Sequence, residues 1–221
     1  MSRSSRRSIS SFFLLACGAL ALGAQPSISR YTQTRGATAA TLEYRLAAGE
    51  DSFTLSASTP VSQESIMWRV GTGTADWSLV NDSDHTELHG TRTGTTIQVT
   101  GTLKGRAVSK VLKVDTAPWY QLFGPLLDQL LPAGTSVQEF WVLDPVDLSV
   151  HRMQVKRAGT EQLTLHGHTV PAQKVHFSPA GALAPFWGAD FWYRQSDGLY
   201  VSSRLPEKGG VTMMTLEDPA P

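Results

Sequence analysis

Along most of this chain the apolar positions recur with a period of two. Leu42, Tyr44 and Leu46 alternate with Glu43 and Arg45; the chain turns at Gly49-Glu50-Asp51, and Phe53, Leu55 and Ala57 then alternate with Thr54 and Ser56. Such alternation predicts antiparallel strands with one face in the core and one in water. Ile66, Trp68 and Val70 continue it, as do Trp77 and Leu79 before the turn Asn81-Asp82-Ser83-Asp84. The segments 95–100 and 107–114 are rich in β-branched residues and read as further strands. Beyond residue 139 the pattern returns in segments 140–143, 150–156, 162–166, 172–178, 190–195, 199–203 and 211–216. Ser196-Asp197-Gly198 between two of them is a tight-turn signal.

Between these halves the period changes. Trp119, Leu122, Phe123, Leu126, Leu127, Leu130 and Leu131 follow the spacing of an amphipathic helix. Thr116 can cap it and Pro118 suits its first turn. Pro125 inside the series removes a backbone donor and clashes with the carbonyl of Gln121, which predicts a kink or two short helices. The predicted architecture is mainly β: a single curved antiparallel sheet or half-barrel of roughly ten strands, with a helical segment on its concave face. The expected organisation is a signal peptide over 1–24, a linker over 25–38, the β domain over 39–217 with its helical insert at 117–131, and a frayed tail at 218–221.

The second half resembles a loose group of exported bacterial proteins known as domains of unknown function. Pro132 and Gly134, Phe140, Asp144-Pro145, Glu161 before Leu163, Gly167, Pro171-Ala172, Trp192-Tyr193 and Asp197-Gly198 carry the resemblance. It covers less than half of the chain and rests on turn and core residues. It implies a curved antiparallel sheet akin to the half-barrels of lipoprotein carriers, with helical segments over a concave apolar face, and it implies no reaction.

The N-terminus adds an address. Arg3, Arg6 and Arg7 precede an uncharged apolar stretch from Phe12 to Ala24, the length of a secretory signal and too short for a permanent span. Cleavage is expected after Ala24. Arg6-Arg7 also resembles a twin-arginine signal, the alternative being an ordinary basic n-region, and Cys17 stands in a lipobox-like setting that offers lipidation at Cys17 as the alternative to simple cleavage. The expected location is periplasmic or extracellular, with no transmembrane segment in the mature chain. Cys17 is the only cysteine, so cleavage beyond it leaves no disulfide, thiolate nucleophile or cysteine-bound zinc. The whole chain balances 19 basic against 19 acidic residues; loss of three arginines leaves a net charge of −3. That balance argues against nucleic acid as a partner.

Candidate chemistry is sparse. His85, Glu87 and His89 alternate, so on one strand face two imidazoles and a carboxylate would meet a metal ion and could serve a metal-assisted hydrolase. The alternative is a polar strand face. His166, His168 and His176 are spaced too far along a hairpin for one metal. No nucleophile elbow, phosphate loop or dinucleotide turn is present, and no cofactor is implied. The aromatic run from Phe186 to Tyr193 points to more. Adjacent strand residues face opposite ways, so one face needs a second apolar neighbour. With the helix supplying it, Trp119, Phe123, Leu127, Trp187 and Trp192 would line a cleft for an apolar small molecule or lipid chain. The competing arrangement is a helix that seals its sheet without a void. An exported protein that binds an apolar ligand or an envelope partner is the leading expectation, and a structural role through exposed strand edges is the third.

Overall fold

The computed structural model describes residues 27–69, 72–122, 124–131, 134–207 and 209–217. The signal peptide expected over 1–24 with Cys17, the expected tail at 218–221, and Phe123 lie outside them. Fourteen strands form one antiparallel sheet: β1 (Ser27–Arg35), β2 (Thr38–Ala48), β3 (Ser52–Ser58), β4 (Ser62–Arg69), β5 (Gly73–Asn81), β6 (Thr86–Thr93), β7 (Thr96–Leu103), β8 (Arg106–Lys113), β9 (Val137–Asp144), β10 (Ser149–Leu165), β11 (His168–Pro179), β12 (Ala189–Arg194), β13 (Tyr200–Glu207) and β14 (Gly210–Leu216). The spatial order is β8 back to β1, then β14 back to β9. The chain thus writes two meanders and joins them where its first strand pairs with its last, Tyr31 opposite Leu216.

Fourteen strands exceed the roughly ten expected, and one difference is instructive. The segment expected as a linker, 25–38, contains β1, which pairs with both β2 and β14. Only Tyr31 within β1 is deeply buried, so the alternation is nearly silent. Tyr31 is placed by tertiary contacts: its hydroxyl donates to the Tyr200 carbonyl at 2.9 Å, and its ring meets Tyr44 and Tyr200. Segments 150–156 and 162–166 belong to one long strand, β10, interrupted by a bulge between Arg157 and Thr160.

The two free edges, β8 and β9, are consecutive in sequence, and the segment between them ties them together. It does not form the predicted amphipathic helix. Residues 118–121 are extended: Thr74 N–H donates to the Trp119 carbonyl at 2.7 Å, Tyr120 N–H to the Trp141 carbonyl at 2.9 Å, and Trp141 N–H to the Pro118 carbonyl at 2.8 Å. This strap therefore bridges the start of β5 to β9 in parallel fashion. Arg92 of β6 secures it by donating to the carbonyls of Ala117 and Asp115. At the other end, Lys110 of β8 donates to the Leu148 carbonyl at 2.7 Å. Leu122 turns the chain at φ +50, and a 3₁₀ helix, Gly124–Leu130, follows with Leu126, Leu127 and Leu130 buried. The helix is short because Pro125 lacks the N–H that a continuous helix needs, while the amides upstream already have strand partners. A second 3₁₀ helix, Gly181–Phe186, precedes β12.

One continuous core fills the interior, from Leu55, Ile66, Trp77 and Ile97 to Phe140, Val155, Phe191 and Leu216, and the strap's Trp119 lies at its centre with 0% exposure. Backbone approaches are close. Gly101 of β7 has φ +132, and a methyl group there would sit 2.1 Å from the Glu87 carbonyl oxygen. Gly101→Ala is expected to cost about 2 kcal/mol in chemical denaturation, from strain and displaced ladder bonds. A variant as stable as the parent would show that β6 and β7 separate at little cost.

Candidate functional site: an apolar cleft with a carboxylate inside

The described residues enclose a cleft of about 580 Å³ between the strap and strands of both meanders. Its walls are Leu122, Val142, Leu143, Met153, Phe177, Phe191, Leu205 and Met214, with Tyr44 and Tyr200 deeper in. Trp187 stands at the mouth, 36% exposed, edge-on to Phe177 at 5.7 Å and donating its indole N–H to the Pro206 carbonyl at 3.0 Å.

Two polar groups shape the interior. Gln121 is buried and behaves as a supplementary strand residue: its amide nitrogen donates to the Leu143 carbonyl at 2.8 Å, and its oxygen accepts from Leu143 N–H at 3.1 Å and from the Trp119 indole at 3.2 Å. Each half of the amide is satisfied, which burial requires. Glu64 is the second. On β4 it shares a face with Ile66 and Trp68, so it points inward with them. Its carboxylate accepts from the Trp77 indole at 2.7 Å. Burial raises its pKa from 4.5 to about 7, outweighing the lowering by hydrogen bonds from Trp77 and Gln121. Burial, with Glu64 alongside, also pushes the Tyr44 phenol far above its ordinary range.

Of the four described residues among the five expected to line a cleft, Trp187 alone lines this one. Trp119 and Leu127 are packed shut at 0% exposure, and Phe123 lies outside the described residues. Trp192 is on the other face of the sheet. Phe191 meets Phe177 and Tyr200 inside, so its neighbour must point outward. There the Trp192 indole donates to Glu161 at 2.9 Å and its ring carries Lys174 at 5.3 Å. Lys174 in turn bridges Glu161 and Asp190, and Asp190 holds His176 at 2.7 Å. The second face of the aromatic run is thus covered by long charged side chains, whose aliphatic stems shield an indole well.

The histidine grouping also separates. His85 sits in the turn before β6 with φ +56, while Glu87 and His89 lie exposed on the strand and His89 pairs with Asp76 at 2.9 Å. Among the described residues, no three histidine, cysteine or acidic side chains are grouped to hold a metal ion. A strand predicted to include residue 85 begins one residue too late, and the shared face is lost. Sequence reasoning missed Glu64, although a carboxylate in register with Ile66 and Trp68 was a readable signal. Gln121 had none, because its role follows from the strap.

No helix among the described residues is long and apolar enough to cross a membrane. No family model matches the chain, and no curated protein matches it significantly. Among solved structures it is similar to a hypothetical lipoprotein, YmcC, from Escherichia coli K12, at 13% identity over 90% of this chain and 91% of that one, with a TM-score of 0.32. It is similar too to a β-barrel-like protein of domain of unknown function DUF1849 from Brucella abortus, at 12% identity over 86% of this chain and 94% of that one, with a TM-score of 0.59. The latter agreement is one of fold: a bacterial β-barrel-like domain of unknown function shares this chain's architecture.

Proposed function

We propose that this is an exported envelope protein, released behind residues 1–24, that holds an apolar ligand or lipid chain in the cleft beside the strap. The cleft carries the reading. Its volume of about 580 Å³ falls within the range of small-molecule sites, its walls are mostly aliphatic and aromatic, and few polar groups converge inside. Natively purified protein is expected to release an apolar molecule on denaturation, seen by mass spectrometry, and the emptied protein to alter the fluorescence of acyl probes. Protein that carries nothing and leaves every probe unchanged would overturn the reading.

Docking of an envelope partner is a second reading, favoured by Leu183 and Phe186 of the 3₁₀ helix Gly181–Phe186, which stand 64% and 82% exposed. Crosslinking in the envelope tests it; recovery of monomer alone would remove it.

A further inference from the structure

The chemistry inside the cleft narrows its ligand. We propose that the cleft takes an amphipathic amine, its chain along the apolar walls and its ammonium group against Glu64. This rests on the reading that the cleft holds a ligand at all.

Charge is the first argument. Among the described residues, the ionisable side chains at the cleft, apart from tyrosine, are Glu64, Asp144 and His151, and neither lysine nor arginine lines it. A fatty acid or phosphate-bearing lipid would bring a negative group toward carboxylates with no cation to receive it, a costly arrangement away from bulk water. An ammonium group reverses the balance. It supplies the counter-charge that Glu64 lacks, since the two donors that reach this carboxylate, Trp77 and Gln121, are both neutral. The surroundings fit the same ligand. Tyr44, Tyr200, Phe177 and Phe191 present aromatic rings along the cleft, and such rings attract a cation through their faces. A neutral alcohol would satisfy the apolar walls but would leave the buried charge uncompensated.

The experiment compares three ten-carbon probes, decylamine, decanol and decanoate, by calorimetry at pH 8, below micelle formation. Salt at about 0.5 M screens exposed charges, so that the overall acidity of the protein does not imitate the effect. Decylamine is expected to bind at least about tenfold more tightly than decanol, with decanoate weakest. Glu64→Gln keeps the shape and an acceptor for Trp77, and is expected to bring decylamine to the affinity of decanol while decanol itself is unchanged. Equal binding of all three probes, a preference for decanoate, or an amine preference that survives Glu64→Gln would overturn the proposal and leave a ligand cleft standing. Failure of all three probes to bind would remove the cleft reading and the proposal together. If Glu64→Gln folds poorly, the order of the probes on the unsubstituted protein decides alone.

Discussion

Replacing Trp119 with alanine is expected to lower the free energy of unfolding by about 3–5 kcal/mol, among the largest losses a single core truncation produces. Trp119 has no solvent-exposed surface, so the substitution leaves a cavity as large as an indole. The residue also has a topological role. Its carbonyl receives Thr74 N–H, its indole holds the oxygen of Gln121, and Gln121 pairs with Leu143 on β9. Without the ring, the strap that joins β5 to β9 loses its anchor and the free edges of β8 and β9 are no longer tied across it. Urea denaturation measures the loss, and limited proteolysis is expected to show new cleavage between residues 114 and 136. Gly90 gives an internal check, because a methyl group there would lie 2.9 Å from the Trp77 ring and 3.3 Å from that of Trp119. A loss below about 1 kcal/mol for Trp119→Ala would mean that the sheet holds its shape without the strap.

Glu64→Gln is expected to stabilise the protein, and only at neutral to alkaline pH. The folded-state pKa, about 7, lies above the ordinary 4.5, so the native state binds this proton more tightly than the unfolded chain does. Below pH 4.5 both states carry the proton and the carboxyl costs nothing. Stability is lost as the pH climbs from 4.5 to about 7, and the full cost persists above that. The gap corresponds to at most about 3 kcal/mol, reduced where the cleft admits water. The amide variant escapes the cost because it does not ionise. The Tyr44 phenol, raised by burial and by the Glu64 charge, stays protonated throughout. Other carboxylates act in the opposite sense: the Trp141 indole holds Asp115 low and Arg194 holds Asp197 low, so both contribute stability that acid removes. For this reason the measurement is a difference between parent and variant melting curves across pH 4 to 9. A difference that stays flat with pH would show that Glu64 does not ionise at a cost.

Much of the architecture was readable before any coordinates. The alternation at Leu42, Tyr44 and Leu46, at Phe53, Leu55 and Ala57, and at Ile66 and Trp68 placed three strands correctly, and Asp197-Gly198 marked a true turn between β12 and β13. The burial of Leu126 and Leu130 agrees with an apolar segment packed against strands, though in 3₁₀ geometry. What misled was periodicity where two causes compete. The spacing from Trp119 to Leu131 is helical in form, yet Thr74 and Trp141 offer the backbone of 118–121 better partners than a proline-broken helix can. The Phe191-Trp192 pair was read as two apolar faces, whereas one face belongs to Lys174, Glu161 and Asp190.

By itself the chain determined the local choices: strands where apolar and polar residues alternate, turns at Gly, Asp and Asn, and a break at Pro125. These depend on dihedral preference and on which side of a strand meets water, both properties of a few neighbouring residues. Only the tertiary structure decided that β1 pairs with β14, that the strap crosses from β5 to β9, and that Glu64 faces a cleft it shares with Tyr200 and Met214. Those relations join residues far apart along the chain. They are settled by how fourteen strands pack around one core, which no short window of sequence contains.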